Sequence, residues 1–488
     1  MKNEVIARSV ATKQSHRKMG LLRPEKSGLA MTSELHDKPE ESCGVYGIFS
    51  SDKRQVAKYI YYGLYALQHR GQESTGIVTT DGSNFRSYVN MGLVPVVFNS
   101  EEIFKSLKGR IGIGHTRYST CGSSNLSNAQ PIISNTPFGT IALAHNGNLT
   151  NIAELKKILK KKGYAFKGNS DSEVIGALIG FSRQKNLESA LRSVLKKIKG
   201  AFALAIMTHD KLFAVRDPNG IRPLCIGHFD NSYIVSSETC GLDILGGKFV
   251  REVLPGEIVT IDKKGLKSAI YKKTKNTSLC IFEFIYFARP DSVMDGRNLY
   301  HARVDMGRML AKEHPVKADY VIPVPDSGTP AAIGYASKSK IPFSDVLVKN
   351  RYVGRTFIQP TQDIRELGVK LKLNPIKQVI NGKDIVLVDD SIVRGTTSRQ
   401  IVKMLKDSGA RKVHMRVASP PIIGTCRFGI DTASRKELIA SYMSVEEIRK
   451  YLGVDSLGYI SLGGLHNAIA LPKNPLCIGC LNLKYPVA

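Results

Sequence analysis

Two rhythms of apolar and polar positions divide the chain beyond residue 43. Up to about residue 262, short apolar runs break repeatedly into polar turns, as in GVYGIFS (44–50), GHTRYS (114–119) and TIALAHNGNL (140–149). Such alternation predicts half-buried strands. The stretch from Ala201 to Glu238 reads as a meander with turns at His209-Asp210 and at DPNG (217–220). Helical spacing interrupts the strands near 152–162 and 171–198. A polar, lysine-rich segment, 263–278, reads as a linker. Beyond it apolar strands (DYVIPVPDSG, DIVLVDD, KVHMRVASPP) alternate with helical patterns such as SRQIVKMLKDSG. That order predicts a doubly wound parallel sheet, so the fold class is α/β in both halves.

Composition narrows the class. Apolar residues make up 42% and charged residues 23% of 488, a globular balance sufficient for more than one domain. No stretch approaches the roughly 20 apolar residues of a membrane span, so no membrane partner is expected. The net charge of +28 raises polyanionic partners, a phosphorylated small substrate or nucleic acid. The densest basic cluster, LKKILKKKGY (155–164), places Leu155, Ile158 and Leu159 at helical spacing, which makes its lysines a solvated helix face. Eight cysteines and no signal-peptide core favour a reducing, cytoplasmic setting.

The most informative stretch is DIVLVDDSIVRGTTSRQIVKML (384–405). Its apolar run predicts a strand buried on both faces, with Asp389 and Asp390 at the carboxyl end where open α/β sheets bind ligands. Ser391, Arg394, Gly395, Thr396 and Thr397 then supply hydroxyls and backbone N–H groups at a helix start, with Thr397 or Ser398 as possible cap. Carboxylates for sugar hydroxyls beside donors for phosphate suit a phosphosugar.

VLVDDSIVRGTT resembles the phosphoribosyl pyrophosphate loop of type I phosphoribosyltransferases. Together with PVPDSGTPAAIGYA (323–336) and KNRYVGRTFIQP (349–360), it is similar to the glutamine phosphoribosylpyrophosphate amidotransferase family. The resemblance runs from about Glu41 to Tyr485. It implies an N-terminal-nucleophile αββα glutaminase domain (43–272), a type I phosphoribosyltransferase domain (273–470) and a C-terminal segment (471–488). Residues 1–42 would be a leader that is removed, Met31 being an alternative start that shortens it to twelve residues. The chain stops eight residues after Cys480, whereas members of that family usually continue in a helical tail, a departure that puts contacts from that tail in doubt.

For the phosphoribosyl half the resemblance implies that Asp389 and Asp390 hold the ribose hydroxyls or Mg²⁺, with Ser327 a further metal contact. Residues 391–397 would hold the 5-phosphate, and Lys349 and Tyr352 would belong to a loop closing over the substrate. For the glutaminase half, Cys43 would be the nucleophile, with its own α-amine as base once it is the N-terminus. Asn146 and Gly147 would donate to the oxyanion, while Arg70 (LQHRGQES, 67–74), Arg117 and Asp171 (NSDSEV, 169–174) would bind glutamine. Ammonia would cross between the sites by an internal channel. Cys280, Cys426, Cys477 and Cys480 match the [4Fe–4S] ligand positions of one branch of the family, leaving Cys121, Cys225 and Cys240 as packing residues. The resemblance further implies a homotetramer inhibited by purine nucleotides (AMP, GMP or ADP). The phosphoribosyl loop argues against glucosamine-phosphate synthase and asparagine synthetase, which share the glutaminase half. Intact glutaminase motifs argue against a purine-responsive regulator that binds nucleic acid, so no nucleic-acid partner is expected.

Overall fold

The period-two segments of the first half build two stacked antiparallel sheets. The structure is a computed structural model that describes residues 43–52, 54–118, 124–350, 372–432, 434–471 and 475–487. The leader, Cys121, Tyr352 and residues 351–360 of the expected closing loop lie outside the described residues.

Strand Gly44–Ser50 lies at the centre of a seven-stranded sheet, between Ser232–Ser236 and Ile111–Arg117. The second sheet has six strands, with Gly200–Met207 in its middle between Leu212–Arg216 and Gly139–Leu149. Both faces of the central strands are buried. One core, including Val45, Phe49, Ile113, Ala144 and Ala205, fills the space between the sheets. A second covers the outer face of the six-stranded sheet with helices Ile152–Lys161, Asp171–Gly180 and Leu187–Lys197. A third packs helix Ala57–Ala66 on the other sheet. This order of layers, helix, sheet, sheet, helix, is the αββα sandwich.

Several expectations change in detail. The meander is split: Gly200–Met207 and Leu212–Arg216 belong to the six-stranded sheet, whereas Cys225–Phe229 and Ser232–Ser236 belong to the other. The crossing is the DPNG turn, where the Asp217 carboxylate accepts from the N–H groups of Asn219 and Ile221 at 2.9 and 3.0 Å. The helix expected over 171–198 is two, because Asn186 caps a new start by accepting from the Ser189 N–H at 2.9 Å. Part of the expected linker is an edge strand, Gly265–Ile270, paired with Glu257–Asp262. Lysine on a sheet edge discourages further pairing, which is why it reads as linker. Ile158 is 41% exposed, so only Leu155 and Leu159 anchor the lysine-rich helix. Cys225 and Cys240 are buried, as packing residues should be.

In the second half four strands, Tyr320–Pro323, Asp384–Asp389, Lys412–Val417 and Ser456–Tyr459, form an all-parallel sheet in that order. Helices Leu299–Glu313 and Thr329–Ser339 pack closely because Gly307 and Gly334 admit the opposite backbone: a Cβ at either would lie 1.8 Å from a carbonyl oxygen. The main core of this half includes Ala201 and Ile221 of the first. The two halves therefore share buried apolar surface and belong to one compact unit.

Candidate functional site

Cys43 precedes the central strand of the seven-stranded sheet and is 5% exposed. Gly44 pairs with Thr116, which brings Arg117 beside Cys43. A side chain on Gly44 would lie 2.6 Å from the Thr116 hydroxyl, so glycine is what permits this approach. The thiol faces the Tyr118 carbonyl at 3.6 Å. Burial pushes its pKa up to about 12, with the Arg117 charge lowering it and the Asp171 and Glu73 charges raising it. The thiolate, not the thiol, is the nucleophile, so a thiol raised in this way needs a base nearby to react.

Asn146 and Gly147 come from the six-stranded sheet. The Asn146 amide is fully buried and its oxygen and nitrogen have no hydrogen-bond partner among the described residues. Buried amides are ordinarily satisfied, so an unpaired one invites a ligand. Gly147 has φ +145°, and a Cβ there would lie 2.0 Å from the Ala201 carbonyl oxygen. Asp171 opens its helix behind the Ser170 cap, accepts from the Leu149 N–H at 3.1 Å and faces His145 Nδ1 at 3.3 Å. Burial raises its pKa, but His145 and the Leu149 and Ser172 N–H groups outweigh burial and hold it below the usual range. His115 meets the His145 carbonyl at 2.9 Å, and burial lowers its pKa to about 3. Cys43, Arg117, Asp171 and Asn146 are all buried, and the Cys43 thiol feels the charges of Arg117 and Asp171.

Arg70 is 1% exposed and part of a buried charge cluster. Its Nε donates to the Cys43 carbonyl at 3.2 Å, while its other nitrogens donate to Glu238 and, at 2.8 and 3.0 Å, to both oxygens of Glu283. Glu283 also accepts from Arg222 at 3.2 Å. Two guanidiniums and two carboxylates balance, and burial is outweighed for both Arg70, held above its ordinary range, and Glu238, held below its own. Sequence reasoning missed Glu238, Glu283 and Arg222. The available signal was Glu283 itself, a lone charge in the apolar run IFEFIYF (281–287).

Asp389 ends its strand and Asp390 and Ser391 follow, all three buried. The Asp390 N–H donates to Asp389 at 2.9 Å, and the Ser391 hydroxyl to Asp390 at 2.6 Å. The cap of helix Thr396–Asp407 is Gly395, at φ +77°, so Thr397 and Ser398 lie inside the helix. Arg394 pairs with Glu437 at 3.3 Å. Ser327 lies in the turn after Pro323, and Lys349 reaches Asp326 at 2.5 Å. These groups line the carboxyl edge of the parallel sheet.

Cys280 and Cys477 are partners in a two-residue parallel ladder. The charges of Cys280, Cys426 and Cys477 each raise the pKa of Cys480 beyond what burial does. The Phe428 N–H donates to the Cys426 sulfur at 3.3 Å. Burial raises Cys280, Cys477 (to about 11) and Cys480, and the Arg222 charge opposes it at Cys280 and Cys477. Among the described residues no group of three or more His, Cys, Asp or Glu is arranged to hold a metal ion, and no helix is long and apolar enough to cross a membrane.

A family described as glutamine amidotransferase domain matches residues 115–243, and one described as phosphoribosyl transferase domain matches 301–420. The molecule is therefore of the class that joins a glutamine amidotransferase to a phosphoribosyl transferase. The amidophosphoribosyltransferase of Methanocaldococcus jannaschii is 49% identical over 464 residues, covering 91% of this chain and 97% of that one. That of Synechococcus elongatus is 48% identical, covering 93% of each. The solved glutamine phosphoribosylpyrophosphate amidotransferase of B. subtilis, complexed with ADP and GMP, superposes with a TM-score of 0.87 at 46% identity, covering 91% of this chain and 98% of that one. The chain belongs to the amidophosphoribosyltransferase family.

Proposed function

We propose that the chain releases ammonia from glutamine at Cys43 and adds it to phosphoribosyl pyrophosphate at the 389–397 loop, yielding phosphoribosylamine, glutamate and pyrophosphate. This is the first step of purine synthesis, the activity of the family. The observation that carries the division is the Cys43 thiol set beside Arg117 by the strand register and under the charges of Arg117 and Asp171.

With Cys43 as N-terminus, its α-amine, of pKa near 8, takes the thiol proton as the sulfur attacks the glutamine amide carbon. Asn146 Nδ2 and the Gly147 N–H hold the oxyanion. Arg117 grips the substrate carboxylate and Asp171 its ammonium. The amine returns its proton to the departing ammonia, and water hydrolyses the thioester. Ammonia then reaches C1 of the sugar through the shared interface, Ser391 and Arg394–Thr397 hold the 5-phosphate, and pyrophosphate leaves. Lys349 and Tyr352 belong to the loop that closes over the substrate. Asp389 and Asp390, with Ser327, fit Mg²⁺, which takes one or two carboxylates and completes its shell with substrate phosphates; bound there it would neutralise the leaving pyrophosphate.

The resemblance assigns a [4Fe–4S] cluster to Cys280, Cys426, Cys477 and Cys480, and two observations support it: Cys280 and Cys477 are ladder partners, and an N–H is donated to the Cys426 sulfur. Such a cluster spreads its thiolates wider than one ion does. It would supply a structural tie between the C-terminal segment and both halves. Anaerobic purification checks it: iron and acid-labile sulfide are expected, and a colourless, iron-free enzyme overturns it. The nucleotides bound to the B. subtilis enzyme support inhibition by purine nucleotides, and we extend the family's expected tetramer and cytoplasmic setting to this chain.

The deciding assay is pyrophosphate release. Cys43→Ala should abolish it with glutamine and keep it with ammonia; activity surviving with glutamine overturns the division. N-terminal sequencing should find Cys43 first.

A further inference from the structure

The loop after strand Lys412–Val417 belongs by sequence to the phosphoribosyl half, yet residues 426–431 lie against the glutaminase residues just described. The Asn148 side-chain amide donates to the Arg427 carbonyl at 2.9 Å. Arg222 donates twice to the next carbonyl, that of Phe428, at 2.9 and 2.8 Å. Gly429 then lies backbone against backbone on Gly147. A Cβ at Gly429 would come within 2.6 Å of the Gly147 carbonyl carbon and 2.8 Å of its Cα and oxygen. At φ +95°, Gly429 also holds a conformation other residues rarely adopt. Further on, Asp431 feels the charge of Glu73, whose partner Arg117 is 3.6 Å away, and the charge of Arg394 in the phosphate loop. At its start, Cys426 takes the Phe428 N–H.

From this contact we infer that the Cys426–Asp431 loop is a positioning element of the glutaminase reaction, with Gly429 setting where the Gly147 N–H points. An oxyanion donor works only within a few tenths of an ångström of its place, because its advantage lies in being oriented before charge develops. Gly147, with no side chain and φ +145°, has little of its own to hold that orientation. Its strand partner is Phe202 on one side; on the other the 427–429 backbone closes over it. Asn148 and Arg222 fasten that backbone from the glutaminase half, so the loop is clamped at three consecutive residues. The inference rests on the assignment of Asn146 and Gly147 to the oxyanion.

The test uses the full, processed enzyme with three readouts: kcat and KM for glutamine, and turnover with ammonia. Gly429→Ala should lower kcat with glutamine about tenfold or more, part of the roughly 100- to 1000-fold that losing an oxyanion donor outright costs. KM for glutamine and turnover with ammonia should stay within about twofold. A rise in KM alone, an equal fall with both nitrogen sources, or no change overturns it. If Gly429→Ala does not yield folded enzyme, Asn148→Ala decides, since that side chain is partly exposed and its loss frees the loop without a clash. It should lower kcat with glutamine in the same selective way, and an unchanged kcat overturns the inference. Cys43→Ala and Asn146→Ala run alongside. If both retain glutamine turnover, the assignment beneath fails and this inference with it; if both lose it while Gly429→Ala does not, only the loop's role fails.

Discussion

The two sites of this chain are built on opposite physical plans. At the glutaminase site the charged groups are already paired and dry: Arg70, Arg222, Glu238 and Glu283 have side chains between 0 and 1% exposed. At the phosphoribosyl site Asp389 and Asp390 are buried, but the outer charges are wet, Lys349 and Asp326 having side chains 41 and 66% exposed. Regular structure explains part of the contrast. Cys43, Arg117, Asn146 and Asp171 sit at or within strands and a helix of a two-sheet core. Asp389 to Thr397 sit where a parallel sheet ends and loops begin. A small neutral amide is recognised by a rigid, desolvated frame. A polyanion carrying its own counter-ion is recognised by donors that gather around it. The first plan stores its order in folding stability, whereas the exposed Lys349–Asp326 pair of the second contributes little to it.

That difference is open to attack first through Glu283. Replacing it by Gln leaves Arg70 and Arg222 buried with their balance lost, and breaking a buried ion pair from one side costs about 3–5 kcal/mol. Equilibrium denaturation should show a fall of that size, with the midpoint moving and the slope unchanged. A loss under about 1 kcal/mol would mean that water reaches the cluster, and the contrast between dry and wet sites would collapse.

Acid probes the same interior from another side. His115 is held neutral by burial, its pKa near 3 in the folded chain against about 6.5 when exposed. The unfolded chain therefore binds the proton more readily. The contribution is complete above about pH 6.5 and is lost progressively as pH falls toward 3. Between pH 7 and 5 it amounts to about 2 kcal/mol of stability from this residue. Denaturation of His115→Gln should show a correspondingly flatter dependence over that interval. An unchanged slope would place the protonation elsewhere.

How much of this was open to a reader of the sequence follows from range. Strands such as Gly44–Ser50 and Asp384–Asp389 announce themselves through apolar positions a few residues apart, and the DDSIVRGTT loop carries its chemistry within nine residues. HNGNL and GHTRYS are equally local. Contacts made across the fold have no such signature. Arg222 and Phe428 lie 206 residues apart and Arg70 and Glu283 lie 213 apart; neither pair leaves a pattern in one chain. The same limit hid the sheet change at DPNG, because a turn residue does not say which sheet receives the next strand. It hid the edge strand Gly265–Ile270 for a different reason: protective lysines make an edge look like a linker. Cys280 and Cys477 meet as ladder partners, and only resemblance, never spacing, suggested that they belong together.

The smallest effect tests the wet side of the comparison. Lys349 and Asp326 form an exposed pair at 2.5 Å, and exposed pairs contribute between about 0 and 1 kcal/mol. Lys349→Met should leave the denaturation midpoint within that range, however well formed the pair. Its consequence should fall on ligand binding instead. With Lys349 in the substrate-binding role proposed for it, its ammonium would leave Asp326 for pyrophosphate, so KM for phosphoribosyl pyrophosphate should rise severalfold while KM for glutamine stays constant. Raising the ionic strength should weaken substrate binding by the parent enzyme more than by the variant, since screening acts on exposed charge. A stability loss comparable to that of Glu283→Gln would show that the loop holds folding energy of its own, and the two sites would then differ in position but not in plan.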